Sequence, residues 1–372
     1  MSFNFKHKKR IIIKIGSALL IEDQTVRADW LESLAQDIKF LKDNFSLEII
    51  IVSSGSVALG RQYIKTKNRK LNLQEKQAAA AVGQISLMAA YKTCFAKYNI
   101  NVAQILLTGG EANNRQRYLN ARASFNSLLQ NNILPIVNEN DSVTNEEIKI
   151  GDNDRLAARV AQMTAADLLI LLSDVDGLYN KNPKIYKDAV FIEKVEKISK
   201  EIENMASGSN SASGTGGMVT KIQAAKMAFN SGCDTVISQG FGNNPITRLV
   251  NGGRHTVFKC SALKRINSRK QWIVDILNPK GEVIINECAK EALLKGSSLL
   301  PVGVEAVKGD FTKEDQVLIK DIKGNHIATG LINYSKKDAE IIIGKKTAEI
   351  KKNFGKDSKE ELIHRDNMVV II

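Results

Sequence analysis

The sequence predicts an α/β protein, a three-layer sandwich with a mostly parallel central sheet, followed by a small β-rich C-terminal domain. Two patterns predict it. Short aliphatic runs at residues 10–15, 47–52, 102–107, 133–137, 167–172 and 235–238 alternate with stretches whose apolar residues recur at helical spacing. Runs without polar alternation suit strands covered on both faces, and strand–helix alternation suits parallel pairing with helices on either side. From about Arg269 the chain changes to short strands at 273–277, 281–285, 316–320 and 326–331. Turn residues such as Asn278-Pro279-Lys280-Gly281 and Lys323-Gly324-Asn325 separate them. Residues 1–265 are expected to form the first domain, 266–278 a linker and 279–357 the second domain, with 358–372 an extension packing on it.

At 372 residues the chain is long enough for two or three cores, and 43% hydrophobic with 25% charged residues is ordinary for a globular protein. No apolar run reaches the roughly 20 residues that span a bilayer. The basic start, MSFNFKHKKR, is followed by too short an apolar run for a signal peptide. The four cysteines, Cys94, Cys233, Cys260 and Cys288, have no close spacing, and the histidines are equally dispersed. That argues against a zinc site or a disulfide framework and fits a reducing cytoplasm. The net charge of +13 is uneven: residues 266–372 hold 18 Lys and Arg against 16 Asp and Glu, so the excess of +11 lies before them. Such an excess attracts small anions as readily as nucleic acid.

Taken in order, the first strand, RIIIKI, carries Lys14 and ends in Gly16-Ser17. Trp30, Leu31, Leu34, Ile38 and Leu41 give residues 29–40 a helical stripe. The second strand ends in Ser53-Ser54-Gly55-Ser56, a long helix is expected over 78–98, and the third strand ends in Thr108-Gly109-Gly110. Helices are expected over 118–130, 154–164 and 221–229. The strand at 167–172 ends in Ser173-Asp174-Val175-Asp176-Gly177, and the segment from 239 to about 266 reads as loose.

Two polar stretches stand out. Residues 138–154, NENDSVTNEEIKIGDND, begin where a buried strand ends, which is where open α/β sheets bind ligands. Their carboxylates and amides suit the ammonium group of a small zwitterion, although an ordinary solvated loop has a similar composition. Residues 207–217, SGSNSASGTGG, read either as a linker or as a phosphate loop. The second reading is favoured because they run into a helix with Lys221 in its first turn. Walker A, GxGxxG and protein-kinase motifs are absent. Phosphate handling would rest on Lys14-Ile15-Gly16-Ser17, Ser53-Ser54-Gly55, Ser173-Asp174 and residues 214–221. Two lysines on separate glycine-bearing loops supply the positioning and charge neutralisation that phosphoryl transfer needs.

The set KIGS, SSG, NENDSV, GDND, LSD and GTGGMVTK, in this order, resembles the amino acid kinase superfamily and, within it, the glutamate 5-kinase branch. KQAAAAVGQ (76–84), RYLNAR (117–122) and IVNEND (136–141) strengthen the resemblance, which covers nearly the whole chain. It implies ATP-dependent phosphorylation of the γ-carboxylate of L-glutamate, with Mg²⁺ carried mainly on ATP oxygens and water, and no protein-only metal site. It further implies a catalytic set of Lys14, Lys221 and Asp154, with glutamate held by Ser54, Asp141 and Asn153. The ATP site would comprise Lys14, Gly16, Ser173, Asp174, Thr215, Gly216, Gly217, Met218, Val219, Thr220 and Lys221, with Gly55 also bringing a backbone amide to phosphate. Proline as feedback inhibitor, a homo-oligomer and a downstream glutamyl phosphate reductase are the partners implied. Ser53 and Ser173 stand where the family often has Thr, and Thr108-Gly109-Gly110-Glu111 replaces a more charged turn.

The segments LLKGSSLLPVGVEAVKGDF and IATGLINY resemble a PUA domain, a module of RNA-modifying enzymes that many bacterial glutamate 5-kinases also carry. The usual Gly-Asp before its third strand is Glu314-Asp315 here. A net of +2 and few aromatics favour a structural or regulatory role over RNA binding. Two alternatives stay open: a kinase of another acid such as aspartate or N-acetylglutamate, or an RNA-binding factor on a kinase fold. Asp141 with Asn153 favours a free ammonium group over an acetylated one.

Overall fold

The computed structural model describes residues 3–65, 69, 71–108, 115–143, 153–183, 185–207, 217–260, 279–313, 315–345, 349 and 359–370. The chain divides into two compact units, Met1–Arg265 and Ile266–Ile372.

The first unit is built on an eight-stranded sheet. Its strands are β1 (Arg10–Ile15), β2 (Glu48–Val52), β3 (Val102–Leu107), β4 (Leu134–Glu139), β5 (Leu168–Ser173), β6 (Lys194–Val195), β7 (Asp234–Gln239) and β8 (His255–Phe258). They lie in the order β6-β8-β7-β5-β1-β2-β4-β3. Only the β7–β8 pair is antiparallel. The helices are α1 (Ala28–Phe45), α2 (Ser56–Gly60), α3 (Leu73–Ala96), α4 (Arg115–Gln130), α5 (Asn153–Met163), α6 (Lys200–Ser207), α7 (Met218–Asn230) and α8 (Pro245–Val250).

Side chains alternate across the sheet, and each face has its own cover. Ile11, Ile13 and Ile15, with Ile49, Ile51, Leu168, Ile170 and Leu172, form one core with Trp30, Leu31 and Leu34 of α1, Tyr91 and Phe95 of α3, and Ile246 and Leu249 of α8. The even positions, Ile12 and Lys14 among them, face the other way, toward α5 and α7. Those two helices bury Ala157, Ala158, Ala161, Ala224, Ala225 and Ala228, small residues that let them lie close to the sheet and to each other.

The expected strands and helices of this unit are present, most with ends shifted by a few residues. Not expected were α2, β6 and α6, nor α8 and β8 within residues 239–266, which read as loose. Asp37, fully buried on α1, organises the start of α8: it accepts hydrogen bonds from the backbone N–H groups of Ile246 (2.7 Å) and Thr247 (3.2 Å) and from the Thr247 hydroxyl (2.6 Å). This stands in for the missing side-chain cap at Asn244.

In the second unit the strands β9 (Gly281–Ile285), β10 (Val304–Gly309), β11 (Gln316–Asp321), β12 (His326–Leu331) and β13 (Met368–Val370) form a sheet in the order β10-β9-β11-β12-β13. Helices α9 (Glu287–Leu294) and α10 (Lys336–Ile342) supply Leu293, Ala339 and Ile342 to its core. The strand expected at 273–277 lies outside the described residues. β10, β13 and both helices were not anticipated: β10 and the helices are short and interrupted by charge, and β13 is only three residues long. The final strand β13 pairs antiparallel with β12.

One close approach shapes the ligand end of the first unit. Helices α2 and α3 touch through Gly60 and Gly83: a Cβ on Gly83 would sit 1.9 Å from the Ser56 carbonyl oxygen, and one on Gly60 1.8 Å from that of Ala79. The contact is backbone on backbone, so no side-chain rotation relieves it. Gly83→Ala is expected to destabilise the first unit by about 2 kcal/mol through overpacking. Urea denaturation measures this, and a midpoint equal to the parent's would refute the contact.

Candidate active site

The carboxyl ends of β1, β2, β4 and β5 release four polar turns into one crevice, where the strand order reverses about β1. Lys14, next to last on β1, has its side chain on the α5 face because the strand's alternation puts it there. Asp154 is in the first turn of α5 and Lys221 in the first turn of α7. The structure brings the three together. Lys14 Nζ lies 2.7 Å from Asp154 Oδ1, and Lys221 Nζ lies 3.7 Å from Asp154 Oδ2. All are buried, with 8%, 1% and 5% of Lys14, Asp154 and Lys221 exposed, so this is no surface ion pair.

Burial alone would push the Asp154 carboxyl up. The Lys14 and Lys221 charges, with hydrogen bonds from Lys14 and Thr220, outweigh it and hold the group below the usual carboxylate range. For Lys221, burial is the largest influence and lowers its pKa; the Asp154 charge opposes that, and the Lys14 charge adds to it. Thr220, read from the sequence as part of the ATP site, has its hydroxyl 2.8 Å from Asp154 Oδ2 and 2.9 Å from the Gly217 carbonyl oxygen. Two ammonium groups on one carboxylate leave one positive charge in excess within the cluster, partly offset by the Asp174 carboxylate acting on Lys221, and that excess favours an anion.

Other phosphate-handling candidates line the same end. Ile15 is in register with Leu172, so Gly16 follows β1 beside Ser173 at the end of β5. The Ser173 hydroxyl donates to Asp174 Oδ1 at 3.0 Å. Gly217 precedes α7, with Met218, Val219 and Thr220 in its opening turn. Gly55 has φ +110°, a conformation open to glycine, and caps α2. Thr215 and Gly216 lie outside the described residues, as do most of the 207–217 loop, Gly151-Asp152, and residues 144–150 and 109–114.

On the other side of Lys14 lies an amide and hydroxyl network. Asn153, which opens α5, donates from Nδ2 to the Ser53 carbonyl oxygen (2.8 Å), to the Ser54 hydroxyl (2.7 Å) and to Asn138 Oδ1 (3.2 Å). Asn138 on β4 donates from Nδ2 to Gln84 Oε1 (2.8 Å) and, more weakly, to the Ser56 hydroxyl (3.4 Å). Ser56 in turn donates to Asp141 Oδ2 at 3.2 Å. Tyr91, buried on α3, donates to the Ser53 hydroxyl at 3.0 Å. Among the described residues Asp141 is buried with no basic partner, and burial raises its carboxyl pKa, opposed by the Ser56 bond. Asn153 Oδ1 and Gln84 Nε2 are buried without a partner. The predicted trio Ser54, Asp141 and Asn153 is thus joined by Asn138, Ser56, Gln84, Ser53 and Tyr91. Of these five, sequence reasoning marked Ser53, for phosphate handling, and Asn138, as the start of the polar stretch; Ser56, Gln84 and Tyr91 were given no role. Asn138 sits in a marked polar stretch, but Gln84 and Tyr91 lie 11 and 18 residues into helix α3, where nothing local marks them.

The amino acid kinase family model matches residues 9–238, and the PUA domain model residues 281–354. A glutamate 5-kinase of Paramagnetospirillum magneticum is 47% identical over 97% of this chain and 98% of its own. That of Agrobacterium fabrum is 46% identical over 97% and 92%, and that of Pelagibacter ubique 45% over 98% and 99%. With a crevice centred on Lys14, Asp154 and Lys221 and near full-length likeness to these enzymes, the chain belongs to the amino acid kinase family and, within it, to the glutamate 5-kinases, with a C-terminal PUA domain.

Proposed function

We propose that this chain transfers the γ-phosphoryl group of ATP to the γ-carboxylate of L-glutamate, giving L-glutamyl 5-phosphate and ADP, the first step of proline biosynthesis. The observation that carries the reading is the Lys14–Asp154–Lys221 cluster, set between an anion-favouring side and a cation-favouring side of one crevice. A γ-carboxylate oxygen attacks the γ-phosphorus in line, and the bond to the β–γ bridging oxygen breaks. The attacking group has a solution pKa of about 4.3, so it arrives ionised and needs no general base. Charge accumulates on the moving phosphoryl oxygens, where Lys14 and Lys221 approach from two elements, held at fixed separation by Asp154.

Gly16, Ser173, Asp174 and the start of α7 from Gly217 to Lys221 border the nucleotide phosphates, with N–H groups of the helix N-terminus directed at them. Thr215 and Gly216 belong to the same reading. Asp141 and Asn153 Oδ1 receive the α-ammonium group, and Ser54 adds a hydroxyl. An acetylated nitrogen would leave the Asp141 carboxylate buried and unpaired, which disfavours N-acetylglutamate. Among the described residues no group of three or more His, Cys, Asp or Glu is placed to hold a metal, and Asp154 is engaged by its lysines. This donor set fits an Mg²⁺ that arrives on the nucleotide and neutralises charge on its β- and γ-phosphates. The reading extends to proline binding over the glutamate site, self-association through the kinase unit, a cytoplasmic setting, and delivery of the acyl phosphate to a reductase.

Purified protein with Mg-ATP, L-glutamate and hydroxylamine is expected to yield the hydroxamate of an acyl phosphate, with aspartate and N-acetylglutamate inactive. Lys221→Ala should lower kcat by about 100-fold or more. Preferential turnover of another acid would displace glutamate as the substrate. A second expectation concerns pH. Burial raises the Asp141 pKa, so on acidification it loses its charge before an ordinary aspartate does, and ammonium binding weakens. KM for glutamate should therefore rise as pH falls toward 5, while Asp141→Asn has a high KM that no longer changes; a parallel pH dependence in both would contradict this. Finally, proline should raise the apparent KM for glutamate and leave kcat unchanged, and a kcat effect alone would place it elsewhere.

A further inference from the structure

We propose that Gln84 of helix α3 is a positioning residue for the amino acid substrate, holding the Asn138–Asn153 amide chain in the one polarity that presents an acceptor to the ammonium group. The inference rests on the proposed glutamate kinase activity and deepens it.

The polarity can be followed from atoms that have no choice. The backbone N–H of Glu139 donates to the Asn138 side chain at 2.9 Å, so the atom it meets is the carbonyl oxygen, Oδ1. Asn138 Nδ2 therefore points toward Gln84 and needs an acceptor there, which Gln84 Oε1 supplies at 2.8 Å. The same Asn138 Oδ1 accepts from Asn153 Nδ2. Asn153 Nδ2 also faces the Ser53 backbone carbonyl, an acceptor only, so Asn153 cannot be turned over without breaking that bond. What remains is Asn153 Oδ1, buried, without a partner, at the opening of α5 beside Asp154. An acceptor left over beside Ser54 suits an ammonium donor and would repel a neutral carbonyl.

Gln84 sustains this at a cost to the fold. Its Nε2 is buried and unpartnered, and a buried donor without an acceptor is destabilising. A methionine of nearly the same volume would spare that cost. The same change would take the acceptor from the buried Asn138 Nδ2, so the two effects on stability oppose each other and the bond from Asn138 is the role left to the amide. Without Gln84 Oε1, Asn138 Nδ2 keeps only the Ser56 hydroxyl at 3.4 Å, the same hydroxyl that bonds Asp141. Competition for Ser56 then disturbs both groups that receive the ammonium. The position on α3 is itself fixed by the preceding residue, Gly83, whose contact with Ser56 leaves no room for a shift.

The test compares the parent with Gln84→Met and Gln84→Glu in steady-state kinetics and thermal melting. Gln84→Met is expected to melt close to the parent temperature, because the relieved Nε2 offsets the acceptor lost to Asn138. Its KM for glutamate should rise about 10-fold with kcat within about 3-fold and KM for ATP unchanged. Gln84→Glu keeps an oxygen toward Asn138 and should recover most of the lost KM. A parent-like KM in Gln84→Met would overturn the proposal. So would a lowered melting temperature with kcat and both KM values worsening together, since that marks a merely structural residue. If Gln84→Glu shows no recovery, the bond to Asn138 is not the cause. Failure of the parent to phosphorylate glutamate would instead remove the functional reading beneath it.

Discussion

Everything at the ligand end of the first unit depends on one carboxylate being shared by two buried ammonium groups. Lys14, Asp154 and Lys221 come from a strand and two helices that are distant in sequence, and their contacts tie the sheet to the helix layer above it. Burying three charges is expensive, and an apolar trio of equal volume would hold the layers together at least as well. The charges are useful because they do not cancel. Asp154 allows the lysines to lie close to each other, while the surplus positive charge stays available to an anion. Thr220 completes the arrangement by occupying the second carboxylate oxygen on its remaining side.

In the proposed reading the acidic substrate is also held by its other end, beside the network that helix α3 supports. Close packing of α2 on α3 at two glycines places Ser56 between Asn138 and Asp141 and leaves Gln84 facing Asn138. Tyr91, one and a half to two turns further along the same helix, bonds the Ser53 hydroxyl, in the turn after β2. A helix that touches neither lysine thereby sets the orientation of the side chains that face the ammonium group.

How much of this was legible in the sequence follows from the range of the interactions involved. The strands of the sheet announce themselves, because uniform burial removes polar residues from runs such as Arg10–Ile15 and Leu168–Ser173. Lys14 at a strand end and Lys221 after a glycine-rich stretch could be marked from the residues, whereas the catalytic roles of both, and of Asp154, came from the family resemblance. Period-2 alternation even assigns Lys14 to one face, although only the structure shows that α5 and α7 cover that face. Gln84 was not legible: it is one polar residue in an alanine-rich helix, and its partner is 54 residues away. Helix α8 was missed for a related reason, since its start is capped from Asp37, more than 200 residues earlier, rather than by a local side chain. The short strands and helices of the second unit lack the long apolar runs that made the first unit readable.

The two ends of the central sheet differ in how their buried charges are met, although at the amino end the buried Thr235 hydroxyl has no partner among the described residues. At the amino end, Lys8 pairs with Asp234 at 2.6 Å, Arg10 with Glu48 at 2.8 Å, and Asp167 accepts from the backbone N–H groups of Lys9 and Arg10. Every group named there has its counterpart, as a structural role requires. At the carboxyl end, Asn153 Oδ1 and Gln84 Nε2 are buried with none, and burial holds the Asp141 carboxyl above its ordinary range with only a serine to offset it. Unsatisfied buried groups cost stability, and a fold that has satisfied its charges at one edge of a sheet has no structural need to leave them open at the other. In the proposed reading, the ammonium group of a zwitterionic substrate completes Asn153 Oδ1 and the Asp141 carboxylate.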